Sequence, residues 1–152
     1  MEDKVSEEQL KMLLGASGWF LGRKVEVAPA VEAWNEIGCP PSRAALEFVS
    51  EFDGLSLRYP RRIAAQGFHD LLLNATAAAH AVHRDRVREY EQRTGLSLCP
   101  VGIAASNHWF LLMSPSGSVF GGMDQFLSLC GESGREAIWN ICQHLAPIKF
   151  IE

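Results

Sequence analysis

Four cysteines and five histidines are the side chains of this sequence best equipped to act as nucleophiles, bases or metal ligands. A thiol nucleophile would need Cys99 or Cys39 beside His69 or His108, with Asp70 or Asp124 orienting the imidazole. It would also need a cationic or helix-terminal setting to lower its pKa. Cys99 instead precedes Pro100 in a stretch that reads as a buried strand, and Cys142 falls on the apolar stripe of a helix. Cys39, Cys99, Cys130 and Cys142 form no CxxC pair and no dense disulfide framework, so reduced core thiols are expected. His80 and His83, with Asp85 nearby, are spaced to share a helix face. Two imidazoles do not complete a metal site, and HExxH is absent. A solvated or capping role is expected for them, and neither a metal nor a cofactor is predicted.

Two further patterns invite a phosphate or nucleic-acid reading. Residues 117–122 are glycine-rich but contain neither GxGxxG nor GxxxxGK[ST]. A hairpin turn at Pro115-Ser-Gly followed by close backbone packing at Gly121 and Gly122 explains those glycines instead. Arg84, Arg86, Arg88 and Arg93 cluster, but Asp85, Glu89 and Glu91 interleave with them, which predicts a salt-bridged solvent face.

The elements that must carry these residues follow from patterning. Ser6 and Gln9 have capping-box spacing, which predicts a helix start at Ser6 with Leu10, Leu13 and Leu14 inward and a stop at Gly15 to Gly18. Residues 23–27 alternate briefly. A second short helix then carries Val31, Trp34 and Ile37, and a third, entered near Pro41, carries Ala45, Leu46, Val49 and Phe52 up to Asp53-Gly54. Residues 55–59 alternate at period two and residues 67–71 can return beside them, with Pro60, Arg61 and Arg62 in an exposed loop. The charged helix over 83–93 has Val87 and Tyr90 as its inward residues.

From Leu98 the pattern turns to β, with strands over 99–103, 108–113 and 118–121 and turn chemistry at Asn107 and at 115–117. The run 109–113 is apolar on both faces, as in a central strand covered on each side. Helices near 124–130 and 133–145 close the chain. Helices, then a meander, then helices, without βαβ alternation, make the fold class α+β with a mainly antiparallel sheet.

At 152 residues, 47% hydrophobic and 21% charged, the chain reads as a single domain over 1–152. A net charge of -4 gives no footprint for direct nucleic-acid binding and favours a basic partner. No apolar run approaches the roughly 20 residues of a membrane span, and the acidic first residues lack a secretory signal, so a soluble cytoplasmic protein is expected.

Several local patterns then coincide in order. Gly-Trp-Phe-Leu-Gly-Arg at 18–23 is followed by Ala-Leu-Glu-Phe-Val-Ser-Glu-Phe-Asp-Gly at 45–54, then Tyr-Glu-Gln-Arg-Thr-Gly at 90–95 and Leu-Cys-Pro-Val-Gly at 98–102. Leu-Leu-Met-Ser-Pro-Ser-Gly at 111–117 and Val-Phe-Gly-Gly at 119–122 complete the series. Together they resemble the third subfamily of the SUKH immunity superfamily, from about Leu10 to Cys142, with the alanine-rich 75–81 as a departure. The resemblance implies an α+β domain that binds and neutralises a bacterial toxin delivered by neighbouring cells, often a nuclease or nucleic-acid deaminase. It carries over no catalytic residue. Other members act in regulatory settings, so an intracellular regulatory scaffold is the alternative, followed by a cysteine-dependent enzyme. As contacts for a protein partner, the acids Glu47, Glu51 and Asp53 at the end of the third helix stand out, with Tyr59 and Arg61 in the loop beyond.

Overall fold

The computed structural model describes residues 2–104, 109–144 and 146–152. The chain runs through α1 (Glu2–Ala16), α2 (Ala28–Glu36), α3 (Arg43–Phe52), β1 (Leu55–Pro60), β2 (Phe68–Leu73), α4 (Ala75–Ala81) and α5 (Arg84–Thr94). It continues through β3 (Cys99–Ala104), β4 (Trp109–Met113), β5 (Val119–Met123), β6 (Phe126–Gly131), α6 (Gly134–Cys142) and β7 (Lys149–Phe150). The fold is α+β, with helices packed on a seven-stranded antiparallel sheet. No helix among the described residues is long and apolar enough to cross a membrane.

Local chemistry sets the helix ends. Ser42 Oγ accepts from Ala45 N at 3.1 Å and starts α3, whose buried face is Ala45, Phe48, Val49 and Phe52. Asn74 Oδ1 caps α4 through Ala77 N at 2.9 Å, and Ser133 Oγ caps α6 through Glu136 N at 3.1 Å. The α5 helix stops at Gly95, whose φ of 72° is the left-handed C-terminal conformation that glycine adopts without steric cost.

Every strand pairs with its neighbour in sequence, in the order β1 to β7, so β4 is the middle strand. Leu111, Leu112 and Met113 are buried on alternating sides of it, as the doubly apolar run predicts. Register sorts the faces: Leu57 and Leu71 share one with Trp109, Leu111, Gly121 and Ser128, while Leu72, Ile103, Phe110, Phe120 and Gly122 share the other. On the first face α6 closes on β6, where a Cβ at Gly131 would collide with the backbone of Ala137. On the second, Tyr90 of α5 lies against β5. A Cβ at Gly122 would sit 2.5 Å from its ring, and its hydroxyl donates to Asp124 O at 2.7 Å. The buried indole of Trp34 donates from Nε1 to Pro100 O at 2.8 Å, tying α2 to β3.

Three expectations need correction. Helix α1 starts at Glu2, so Ser6 lies inside it rather than at its cap; the helix runs on through Glu2 to Val5, a stretch with no proline or glycine to stop it. The alternating residues 23–27 belong to no helix or strand, and Val25 N donates to Ser50 O at 2.8 Å. Residues 126–131 form β6, not a helix. The closing helix ends at Cys142 rather than 145, and β7 follows it unforeseen; Leu145 lies outside the described residues, as do Asn107 and His108.

Gly122→Ala should lower unfolding free energy by about 1–3 kcal/mol, because the added methyl overpacks against a buried ring. Urea denaturation would measure it; a change within error would mean that Tyr90 has room to retreat.

Candidate binding surface

The structure scatters the residues of the hypothetical thiol centre. Cys99 opens β3 opposite Met113, and its Sγ donates to Pro40 O at 3.3 Å. His69 lies on β2 opposite Tyr59, at the other end of the sheet, and Asp70 faces the opposite side, 3.5 Å from Arg58. Asp124 sits in the β5–β6 turn, and His108 is outside the described residues. Burial pushes the Cys39 and Cys142 thiols up to about 12 and that of Cys99 up to about 11, and it raises Cys130 as well. This is the reverse of what a thiolate nucleophile needs.

The histidines of the helical pair also find local work. His80 Nε2 lies 3.4 Å from Glu36, and His83 Nδ1 accepts from Asp85 N at 3.2 Å as the cap of α5. Along α5, Glu89 lies 2.7 Å from Arg86 and 3.8 Å from Arg93, and Arg93 donates to Gln125 O at 2.8 Å. Arg86 and Arg93 are thus salt-bridged, Arg84 donates to Glu36 O instead, and Arg93 also clamps Ile151 O.

Of the five contact candidates, Glu47 is the one whose carboxylate stands in solvent, 3.0 Å from Arg43 one turn earlier. Glu51 is committed inside the molecule: Oε2 accepts from Trp19 Nε1 at 3.0 Å and from Arg135 Nη2 at 2.7 Å. The Arg135 guanidinium in turn lies over the rings of Trp19 and Phe52, at 5.4 and 5.5 Å. Asp53 Oδ1 accepts from Ala75 N at 2.8 Å, and burial, opposed by that bond and by Arg23, holds its carboxyl above the usual range. Tyr59 is 4% exposed, not a loop residue, because β1 extends to Pro60 and alternation turns Tyr59 inward with Leu55 and Leu57. Arg61 is half-buried at the hairpin end, and its Nε donates to Phe68 O at 3.4 Å.

The inward turn of Tyr59 brings it to a cleft of about 180 Å³ on the face that carries α6. The floor is made of small residues, Ala104, Gly121 and Ser128; Trp109 and Leu111 form a wall, and Ile141 and Pro147 overhang it. Its far end is aromatic: the Tyr59 ring lies 5.6 Å from His69 and 5.4 Å from His144, and His144 Nε2 donates to Pro60 O at 2.6 Å. Register extends the surface outward. Met123 pairs with Phe126 and Ser128 with Phe150, which puts both phenylalanines on the cleft's face, 61% and 68% exposed. None of this was read from the sequence, because a helix over 124–130 hides that Phe126 and Ser128 point the same way.

The family model described as SUKH-3 immunity protein matches residues 6–144, almost the entire sheet and its helices. The chain belongs to the SUKH-3 family. No curated protein and no solved structure matches it. Within this SUKH-3 chain the matched span contains the whole floor and aromatic end of the cleft, whereas Pro147 and Phe150 lie beyond it.

Two outcomes follow. Glu51→Lys should cost about 1–3 kcal/mol in urea denaturation, since it places a second cation against Arg135 and strands the Trp19 N–H, while Glu47→Lys should stay within about 0.5 kcal/mol; equal effects would contradict the division drawn here. The four thiols should resist iodoacetamide near neutral pH until the protein unfolds. Because folding favours the protonated thiols, stability should be unaffected below the ordinary value of 9.0 and fall as pH rises from there toward about 11 and 12.

Proposed function

We propose that this SUKH-3 protein neutralises a protein toxin by binding it, and that it performs no catalysis of its own. The match of an immunity-protein family over residues 6–144 carries the reading. The raised thiols support it, as do the local structural roles of His80 and His83. So does a face with an apolar cleft beside two exposed phenylalanines, since buried aromatic anchors dominate protein interfaces.

The proposed toxin is a nuclease or nucleic-acid deaminase acting in the cytoplasm. The net charge of -4 favours approach to a basic active-site surface and speeds encounter. One domain over 1–152 can supply the roughly 800 Å² that a specific complex needs from each partner. Among the sequence-derived contacts, Glu47 and Arg61 are proposed to reach the toxin directly, and Glu51, Asp53 and Tyr59 to hold the surface that presents them.

Co-expression with the product of the neighbouring gene tests this. Rescue of growth together with co-purification is expected; a toxic neighbour that is neither rescued nor bound would refute the proposal.

A further inference from the structure

The cleft has a specific size and a specific rim. An apolar cavity of about 150 Å³ is enough to hold a benzene ring, and this partly open cleft has about 180 Å³. Its floor is low because small residues make it, and it is already close-packed: the Sγ of Cys130 lies over Gly121, 2.8 Å from where a Cβ would sit. The exposed Phe126 and Phe150 border it on the same face, so a partner seated over the cleft would cover them too.

The opposite rim is cationic. Arg62 Nη2 donates to His144 O at 3.1 Å, between the overhanging Ile141 and Pro147, and Arg61 is the preceding residue at the end of the Tyr59 strand. Arg43, Arg58, Arg86, Arg93 and Arg135 each lie within 4.0 Å of a carboxylate. Among the described residues, Arg23, Arg61, Arg62, Arg84 and Arg88 have no such partner; of these, Arg61 and Arg62 follow the Tyr59 strand at the cleft, where Asp70, the acid on β2, is engaged by Arg58 on the opposite face. A partner carboxylate could therefore bind there without displacing an internal ion pair.

We propose that the cleft receives one ring-sized apolar side chain of the toxin, and that a carboxylate adjacent to it on the toxin pairs with Arg61 and Arg62. This rests on the immunity reading and adds to it a local exception: the contact is made by an acidic, apolar segment, although the protein as a whole is acidic.

The probe is N-acetyl-L-phenylalanine, one ring beside one carboxylate, titrated into the isotope-labelled full chain, with its carboxamide analogue as control. Saturable amide shifts are expected at Gly121, Ser128, Cys130 and Arg62, with the carboxamide roughly threefold weaker. Ser128→Phe, which fills the floor, should abolish them, and Arg61→Glu with Arg62→Glu should erase the difference between acid and amide. Toxin affinity should fall about tenfold in both variants. If Ser128→Phe fails to fold, Phe126→Ser at the exposed border replaces it, with a smaller loss of toxin affinity expected. Absence of localised shifts, or equal binding of acid and amide, overturns the inference. Probe binding with unchanged toxin affinity in the variants also overturns it while leaving the immunity reading intact. A wild-type protein that binds no toxin refutes the immunity reading and the toxin contact with it, whatever the probe does.

Discussion

Two adjacent glycines in β5 decide what each face of the sheet can hold. Strand alternation points Gly121 and Gly122 to opposite sides, so one strand is bare in both directions at its middle. On one side the space is filled by Tyr90, whose ring packs where a Cβ would be and whose hydroxyl reaches the next turn. On the other side the Sγ of Cys130 packs over Gly121, 2.8 Å from where a Cβ would sit, and the cleft lies above that low floor. The same chemical absence therefore anchors α5 on one face and keeps the cleft floor low on the other.

A second constraint orders the helices on the cleft's side. Glu51 joins three segments distant in sequence: the turn after α1 through Trp19, α3 itself, and α6 through Arg135. Arg23 reinforces the joint by donating to Glu51 O at 2.6 Å and Asp53 O at 2.8 Å. With its far end fixed by Arg135, α6 can overhang the cleft with Ile141. An acid that reads from the sequence as a contact is thus part of the frame.

Much of the fold was legible in the sequence because the signals were local. Period-two alternation located β1, the turn at 115–117 located the β4–β5 hairpin, and the doubly apolar run 109–113 located the central strand. The miss at 126–131 is instructive: Phe126, Leu127, Leu129 and Cys130 satisfy helical spacing as well as a strand, and pairing with β5 decided between them. Short β7 has no signal of its own, since two residues exist as a strand only through β6. The cleft was invisible because it depends on register across five strands and on α6. Tyr59 was misplaced in a loop although its signal was present, since the alternation that predicts β1 turns it inward.

The last strand has a further consequence. Sheet edges invite other chains to add a strand, and very short edge strands blunt that tendency. Here β7 spans only Lys149–Phe150. It offers a passing segment too little backbone for a ladder, yet it sets Phe150 beside Phe126 on the open face. At this edge the molecule can therefore display aromatic rings with little backbone to template cross-β growth, and a partner docking on β7 must recognise side chains rather than extend the sheet.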